Sequence, residues 1–255
     1  MTYFSPMTGF QGKNQHKPSV PAEKTVYAVA DIQGSAHLLA QLRGRIVEQV
    51  SSAGLLAADY EVVYLGDYIG KGADSASVID IFLSAPLRGI KETFLIGDQD
   101  LHFLNFITGH SLSMHWLYEL GGMTVLKSYG VKVRPGKSAD MSTLRAALLK
   151  KIPDDHIDFL KGLSLSHAVG DYYFVHAGIN PARALSRQSP KDMISIGRAF
   201  TKSRRTFEKV IVHGHDAKLM PVERSNRIGI NTGAARTGIL TALLLTGTDR
   251  QFIQV

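Results

Sequence analysis

The stretch VVYLGDYIGKG, Val62 to Gly72, decides how this chain is read. An apolar, β-branched run of strand length stops at Gly66, and Asp67 places a carboxylate just past what reads as a buried strand's end. Outward from it the same pattern returns. VYAVADIQG (Val26 to Gly34) delivers Asp31, TFLIGDQD (Thr93 to Asp100) delivers Asp98, YYFVHAG (Tyr172 to Gly178) delivers His176, and VIVHGHD (Val210 to Asp216) delivers His215. Ligands distant in sequence meet at the carboxyl edge of an α/β sheet, so this recurrence is what a metal centre there requires. Three Asp and two His suit a divalent cation: carboxylate oxygens favour Mn²⁺ or Mg²⁺, and imidazole extends the range to Fe²⁺ and Zn²⁺. A carboxylate shared by two ions would hold them about 3.5–4 Å apart, and Asp67 is the candidate bridge. Taken singly, each Asp reads more readily as a turn or helix-cap residue and each His as a core or surface group; the recurrence of five at successive strand ends favours the centre.

The intervening sequence supplies the scaffold. Thr25 to Ala30 reads as a strand, followed by a helix with Leu38, Leu39, Leu42, Ile46 and Val50 on one stripe. Val62 to Leu65 leads to a helix around Ala76 to Leu83, and Thr93 to Ile96 to one containing Leu101, Phe103, Leu104 and Ile107. Three such units predict an α/β sheet with helices outside. Ser111 to Gly162 reads as helical, with Leu144, Leu148 and Ile152 on one stripe, Pro153-Asp154-Asp155 opening a further helix, and Trp116 and Tyr118 as packing residues. Strands then follow at Leu163 to Val169 and Tyr172 to Val175, around a Gly170-Asp171 turn, and at Lys209 to Val212, Arg227 to Ile230, Ile239 to Leu245 and Gln251 to Val255. Residues 1–24 are polar, bear Pro and Gly, and lack periodicity; they read as a flexible extension before a single domain over 25–255.

With 255 residues, 44% hydrophobic and 20% charged, the chain can build one core without staples. A net charge of +7 favours acidic or phosphorylated partners. The densest cationic group, Lys202, Arg204, Arg205 and Lys209, reads as a solvated helix face, with an anion-binding patch as the alternative. The absence of cysteine excludes disulfides, zinc fingers and thiol catalysis. No run approaches the ~20 apolar residues of a membrane span and no apolar signal core opens the chain, so a cytoplasmic protein with no membrane partner is expected. The chain has no G-x-S-x-G elbow, Walker-type loop or GxGxxG after a strand.

The ordered motifs ADIQG (Ala30 to Gly34), GDYIGKG (Gly66 to Gly72), GDQD (Gly97 to Asp100), HAG (His176 to Gly178) and HGH (His213 to His215), with the tail NRIGINTGAARTGILTALLL, resemble the calcineurin-like metallophosphoesterases. The similarity is to bacterial serine/threonine protein phosphatases of the phosphoprotein phosphatase branch, and it covers Thr25 to about Gly247. The resemblance implies an α/β (α+β) four-layer metallophosphoesterase fold, a central β-sandwich of mixed sheets flanked by helices. It also implies a divalent cofactor, with manganese the first expectation and one or two ions bound. Asp31 and Asp67 would ligate the first ion, and Asp67, Asp98, His176 and His215 the second; His213 would face the site or pack in its strand.

The departures from that pattern carry as much as the matches. Gln33 stands where the family has His, which leaves a weak hard-ion ligand and weakens the first site. Asp98 replaces a neutral Asn. Gln99 replaces the His that protonates the leaving oxygen or orients the attacking water, beside an acidic helper at Asp100; Gln cannot deliver a proton at neutral pH. Gly70 and Lys71 replace Asp and Arg, and Lys lacks the planar fork that grips phosphate. Gly197 aligns with a further phosphate-gripping Arg, for which neighbouring Arg198 is a substitute. The expectation is therefore a catalytically impaired pseudophosphatase that binds a phosphorylated protein, a small phosphoester or a regulatory partner. The alternative is an active metal-dependent phosphomonoesterase with a rearranged site, and nucleic-acid binding is the least favoured reading.

Overall fold

A computed structural model describes residues 17–53, 59–132 and 140–255. Strand β1 (Thr25–Val29) is buried along its whole length, as its unbroken apolar sequence demands of a strand covered on both faces. It leads into α1 (Ala36–Ser52), whose stripe Leu38, Leu39, Leu42, Ile46 and Val50 is buried as the helical period requires. The unit repeats as β2 (Tyr60–Tyr64) with α2 (Ser75–Ser84), then β3 (Lys91–Phe94) with α3 (Asp98–Thr108). Short helices follow: α4 (Met114–Glu119), α5 (Gly122–Ser128), α6 (Met141–Leu149) and α7 (Asp154–Lys161). Helix α7 opens just after Pro153 with Asp154 and Asp155 in its first turn, where carboxylates complement the helix dipole. Strands β4 (Ser166–Val169) and β5 (Tyr172–Val175) pair antiparallel across Gly170-Asp171, and Gly170 takes the left-handed backbone the turn needs, φ +54°. Then come α8 (Pro190–Ile194), α9 (Arg198–Lys202), β6 (Val210–His213), β7 (Val222–Glu223), β8 (Arg227–Gly229), α10 (Ala234–Thr237), β9 (Thr241–Thr246) and β10 (Asp249–Gln254).

These strands form two mixed five-stranded sheets, ordered β10-β9-β1-β2-β3 and β4-β5-β6-β8-β7. One apolar cluster joins them into a sandwich: Val26 and Ala28 of the first sheet share it with Phe174, Val212 and Ile228 of the second and with helix residues such as Leu39 and Phe103. At the seam, Leu95 bridges Ser164. There Glu61 of β2 accepts a hydrogen bond from Thr93 (2.9 Å) and pairs with Lys91 of β3 and His167 of β4 (2.9 and 2.8 Å). The topology sets the site. β1, β2 and β3 run parallel to one another, as do β5, β6 and β8, so the ends of each group open on a common edge.

Four details differ from the sequence reading. Residues 17–24, assigned there to a flexible extension, are packed: Val20 is buried and its N–H donates to Gly247, the Ser19 N–H donates to Asp171, and Pro18 accepts from Tyr172. The rest of that extension, 1–16, lies outside the described residues. Strand β7 is only two residues long, too short to show a period. Trp116 is buried against Phe103 and Phe106, but Tyr118, two residues on and so on the opposite helix face, is 40% exposed. The cationic group is not a helix face. Helix α9 stops at Lys202, Arg204 and Arg205 lie on the loop beyond, and Lys209 donates to the Gly170 carbonyl.

Candidate metal centre

Asp31 lies two residues past β1, Asp67 three past β2, Asp98 four past β3 at the start of α3, His176 directly after β5, and His215 two past β6. Their ligand atoms converge in two groups, Asp31 with Asp67 and His176, and Asp98 with His176 and His215; within each group the atoms lie within 4.8 Å of one another. His176 is common to both groups, and Oδ1 of Asp67, the expected bridge, lies 3.6 Å from its Nε2. Backbone geometry marks the same place. Gln33, Asp67 and His215 are the described non-glycine residues with positive φ (+47°, +53° and +60°), and all three lie here. Two glycines permit the close approach: a Cβ on Gly97 would come within 2.1 Å of Asp67 Oδ1, and one on Gly214 within 2.1 Å of Asp31 Oδ1.

The imidazole of His176 is oriented from behind. Its Nδ1 donates to the Leu65 carbonyl at 2.8 Å, which directs Nε2 at Asp98 Oδ1 (3.1 Å), His215 Nδ1 (3.2 Å) and Asp67 Oδ1 (3.6 Å). Metal-ligating histidines are held in this way, with the second nitrogen on a carbonyl or carboxylate. Asp31 is fixed by the His215 N–H (3.0 Å) and by the Asn231 side-chain amide (2.8 Å), which also donates to the His215 carbonyl. Asp98 Oδ1 also meets His215 Nδ1 at 2.8 Å.

Charge explains what these groups need. Asp31, Asp67 and Asp100 are buried and Asp98 is half-buried, with no Lys or Arg ion-paired to any of them among the described residues. Burial pushes the Asp67 carboxyl well above its ordinary range, assisted by the charges of Asp98, Asp31 and Asp100 and opposed by His176; burial also raises Asp31. His176 is driven the other way. Burial would lower it, but Asp67, the hydrogen bond to Asp98 and Asp31 outweigh that and push it up to about 10. Asp98 is held far below the carboxylate range because its bonds to His176 and His215 outweigh its own burial. Several carboxylates packed in low dielectric stay ionised together only with a cation among them, and three carboxylates with two imidazoles are a fitting donor set for a divalent ion.

The remaining expected residues divide. Gln33 turns its amide nitrogen to Asp67 Oδ2 (3.3 Å), so its carbonyl oxygen is not the atom facing that carboxylate. Gln99 is buried; its side-chain nitrogen donates to Asp98 Oδ2 (2.9 Å), its backbone N–H to Asp67 Oδ1 (2.9 Å), and its Oε1 has no protein partner. Asp100, expected as an acidic helper to Gln99, is spent elsewhere: it accepts the backbone N–H groups of Asp67 (2.8 Å), Gly97 (3.0 Å) and Tyr68 (3.0 Å), tying the Asp67 loop to the start of α3. Burial raises its carboxyl to about 6 in spite of those bonds. Lys71 and Arg198 are both exposed, and neither hydrogen-bonds to a residue of the centre. His213 packs in its strand: burial lowers it to about 4, and its ring stands edge-on to Phe200 at 5.2 Å. Asn231 was missed as a site residue. The signal was present, since it stands just past β8 as the ligands stand past their strands.

No family model matches the sequence, and no curated protein matches it. Solved structures do match. The chain superposes on a candidate diadenosine tetraphosphatase with TM-score 0.60 at 18% identity, covering 94% of this chain and 98% of that one. It also matches a serine/threonine phosphatase from Saccharomyces cerevisiae similar to human phosphatase PP5 (0.53, 11%, 93% and 84%) and the cold-active protein-tyrosine phosphatase of a psychrophilic Shewanella (0.52, 13%, 95% and 85%). Identities this low speak for the fold alone. The chain has the calcineurin-like metallophosphoesterase fold, a mixed α/β sandwich flanked by helices.

Proposed function

We propose that this protein binds a divalent cation through Asp98, His176 and His215, with Asp31 and Asp67 beside them, and uses it to hold a phosphate ester with impaired turnover. A divalent ion would supply Lewis-acid polarisation of a phosphoryl oxygen. The residues do the rest. Leu65 holds the His176 tautomer, Asn231 and the His215 N–H aim Asp31, and Asp100 fixes the loop that carries Asp67. The observation that carries impaired turnover is Gln99. By the family resemblance it stands in the position of the proton-donating His, its nitrogen is committed to Asp98, and an amide has no proton to give at neutral pH. Asp100 cannot compensate, because its oxygens face backbone amides.

The second reading is an active metal-dependent phosphomonoesterase restricted to esters whose leaving group needs no proton. It is favoured by the ligand set, which is gathered and oriented despite the changes around it. Metal analysis of the purified chain, with hydrolysis of p-nitrophenyl phosphate and of a phosphoserine peptide in Mn²⁺, separates the two. Retained metal, phosphopeptide binding and negligible hydrolysis are expected. Turnover of both substrates that disappears in Asp67→Asn would replace the first reading by the second, and a chain that retains no divalent metal would defeat both.

A further inference from the structure

The cationic residues that do not form a helix face come together at the opposite end of the second sheet. Helix α9 ends at Lys202 and the loop after it carries Arg204; the turn joining β7 to β8 carries Arg224, and Arg227 opens β8. The Arg224 N–H closes that turn on the Arg227 carbonyl at 2.8 Å. With Ser203 and Ser225 these residues line a groove of about 610 Å³, in which no lining residue is acidic or aromatic. Lys202, Arg204 and Arg224 are exposed and form no ion pair among the described residues. Arg227 is the fixed wall: its guanidinium donates to the carbonyls of Thr201 and Ser203 and lies 5.6 Å from the Phe200 ring centre. The neighbouring acid, Glu223, is turned away to Arg250 at 2.5 Å. Burial and the charge of Arg224 both lower the Arg227 pKa.

The lining also selects the kind of anion. A nucleic-acid strand would need stacking surfaces or a long positive track, and the groove offers neither. The adjoining groove, about 1000 Å³, shares Ser225 and Asn226 with it but is lined by Glu208, Glu223 and Asp249 as well as Lys17, Lys209 and Arg250. A continuing polyanion would meet those carboxylates at once. A polypeptide of mixed charge can set cationic side chains against them, and Phe207, Pro18 and Val210 give it apolar contact there. A phosphorylated side chain brings close to two negative charges and three acceptor oxygens, which match three unpaired cations and two hydroxyls.

We propose that this groove, formed by Lys202, Arg204, Arg224 and Arg227, docks a phosphoserine or phosphothreonine of a partner polypeptide, whose flanking residues run along the adjoining mixed-charge groove. The site is separate from the metal centre. Arg227 opens β8 and Asn231 lies two residues past its end, about 13 Å away at strand rise, so one phosphate does not reach both. The proposal does not depend on what the metal centre does.

The test is fluorescence anisotropy on the 255-residue chain in EDTA, which removes any cation from the metal centre and leaves the groove intact. The probes are a labelled Lys-flanked phosphoserine peptide, its unphosphorylated twin and a single-stranded oligonucleotide of equal charge. The phosphopeptide is expected to bind best and to lose about tenfold or more in affinity in the Arg204→Ala/Arg224→Ala double variant, the twin being unaffected. Both side chains are exposed, so circular dichroism should match the parent. Equal affinity in the double variant, tighter binding of the oligonucleotide, or phosphopeptide binding that requires added divalent metal would each overturn the proposal.

Discussion

The two ends of the second sheet carry opposite charge. Past the trailing ends of β5 and β6, His176 and His215 meet carboxylates in groups that could hold a metal ion; at the leading end of β8, Arg227 stands with three exposed cations and no carboxylate in the groove lining. The difference lies in preparation. The trailing end is built, with a fixed tautomer, three left-handed residues and amides spent on orientation, whereas the leading end is open and only Arg227 is pinned. One end is arranged for chemistry or its remnant, the other for reversible contact.

The strongest way to sharpen the contrast is to return the missing proton donor. Gln33→His together with Gln99→His should raise phosphopeptide hydrolysis in Mn²⁺ by about 10²–10⁴-fold, the usual worth of acid–base assistance. Gln33 has φ +47°, a region that histidine tolerates, so the backbone need not move. No gain in rate would show that the centre lacks more than these two rings. Next in size, Asn231→Ala frees Asp31 and should weaken divalent metal affinity by about 10–100-fold in titration calorimetry, while phosphopeptide binding at the cationic groove stays unchanged. Equal loss at both would mean that the two ends are not independent.

The smallest expected effect concerns the seam that keeps the sheets together. Burial alone would raise Glu61, but hydrogen bonds from His167, Lys91 and Thr93 pull it from 4.5 to about 2. A carboxylate depressed on folding contributes stability that is complete above its unfolded pKa and is lost as pH falls through the folded one. Urea midpoints should therefore decline between about pH 4.5 and 2, and Glu61→Gln, costing about 1–3 kcal/mol at neutral pH, should flatten that decline. An unchanged slope would put the acid sensitivity elsewhere.

The strand ends were legible because burial on both faces leaves an unbroken apolar run, and the first polar residue after it is conspicuous, as in VYAVAD and YYFVH. The same signal found all five converging residues. It failed to say which way each side chain points: His213 and His215 are two apart in one motif, yet one packs on Phe200 and the other enters the centre. His213 ends β6, whereas His215 lies beyond it in a left-handed turn whose N–H donates to Asp31. Asp100 was assigned a chemical part because a carboxylate beside Gln99 looks reactive. Its three amide partners come from the start of α3 and the Asp67 loop, and nothing in GDQD announces that. The cationic run misled in the opposite sense. Counting charges along the sequence stopped at Lys209, while half of the groove comes from residues 224–227, tied to the end of α9 by the bonds of Arg227 to the Thr201 and Ser203 carbonyls.

Gln33, Asp67 and His215 hold conformations that glycine would adopt free of penalty, each at about 1 kcal/mol to a residue with a side chain. Together the three oppose folding by about 3 kcal/mol, which contacts such as the two bonds from the His215 N–H to Asp31 must offset before this edge can present its carboxylates at one point.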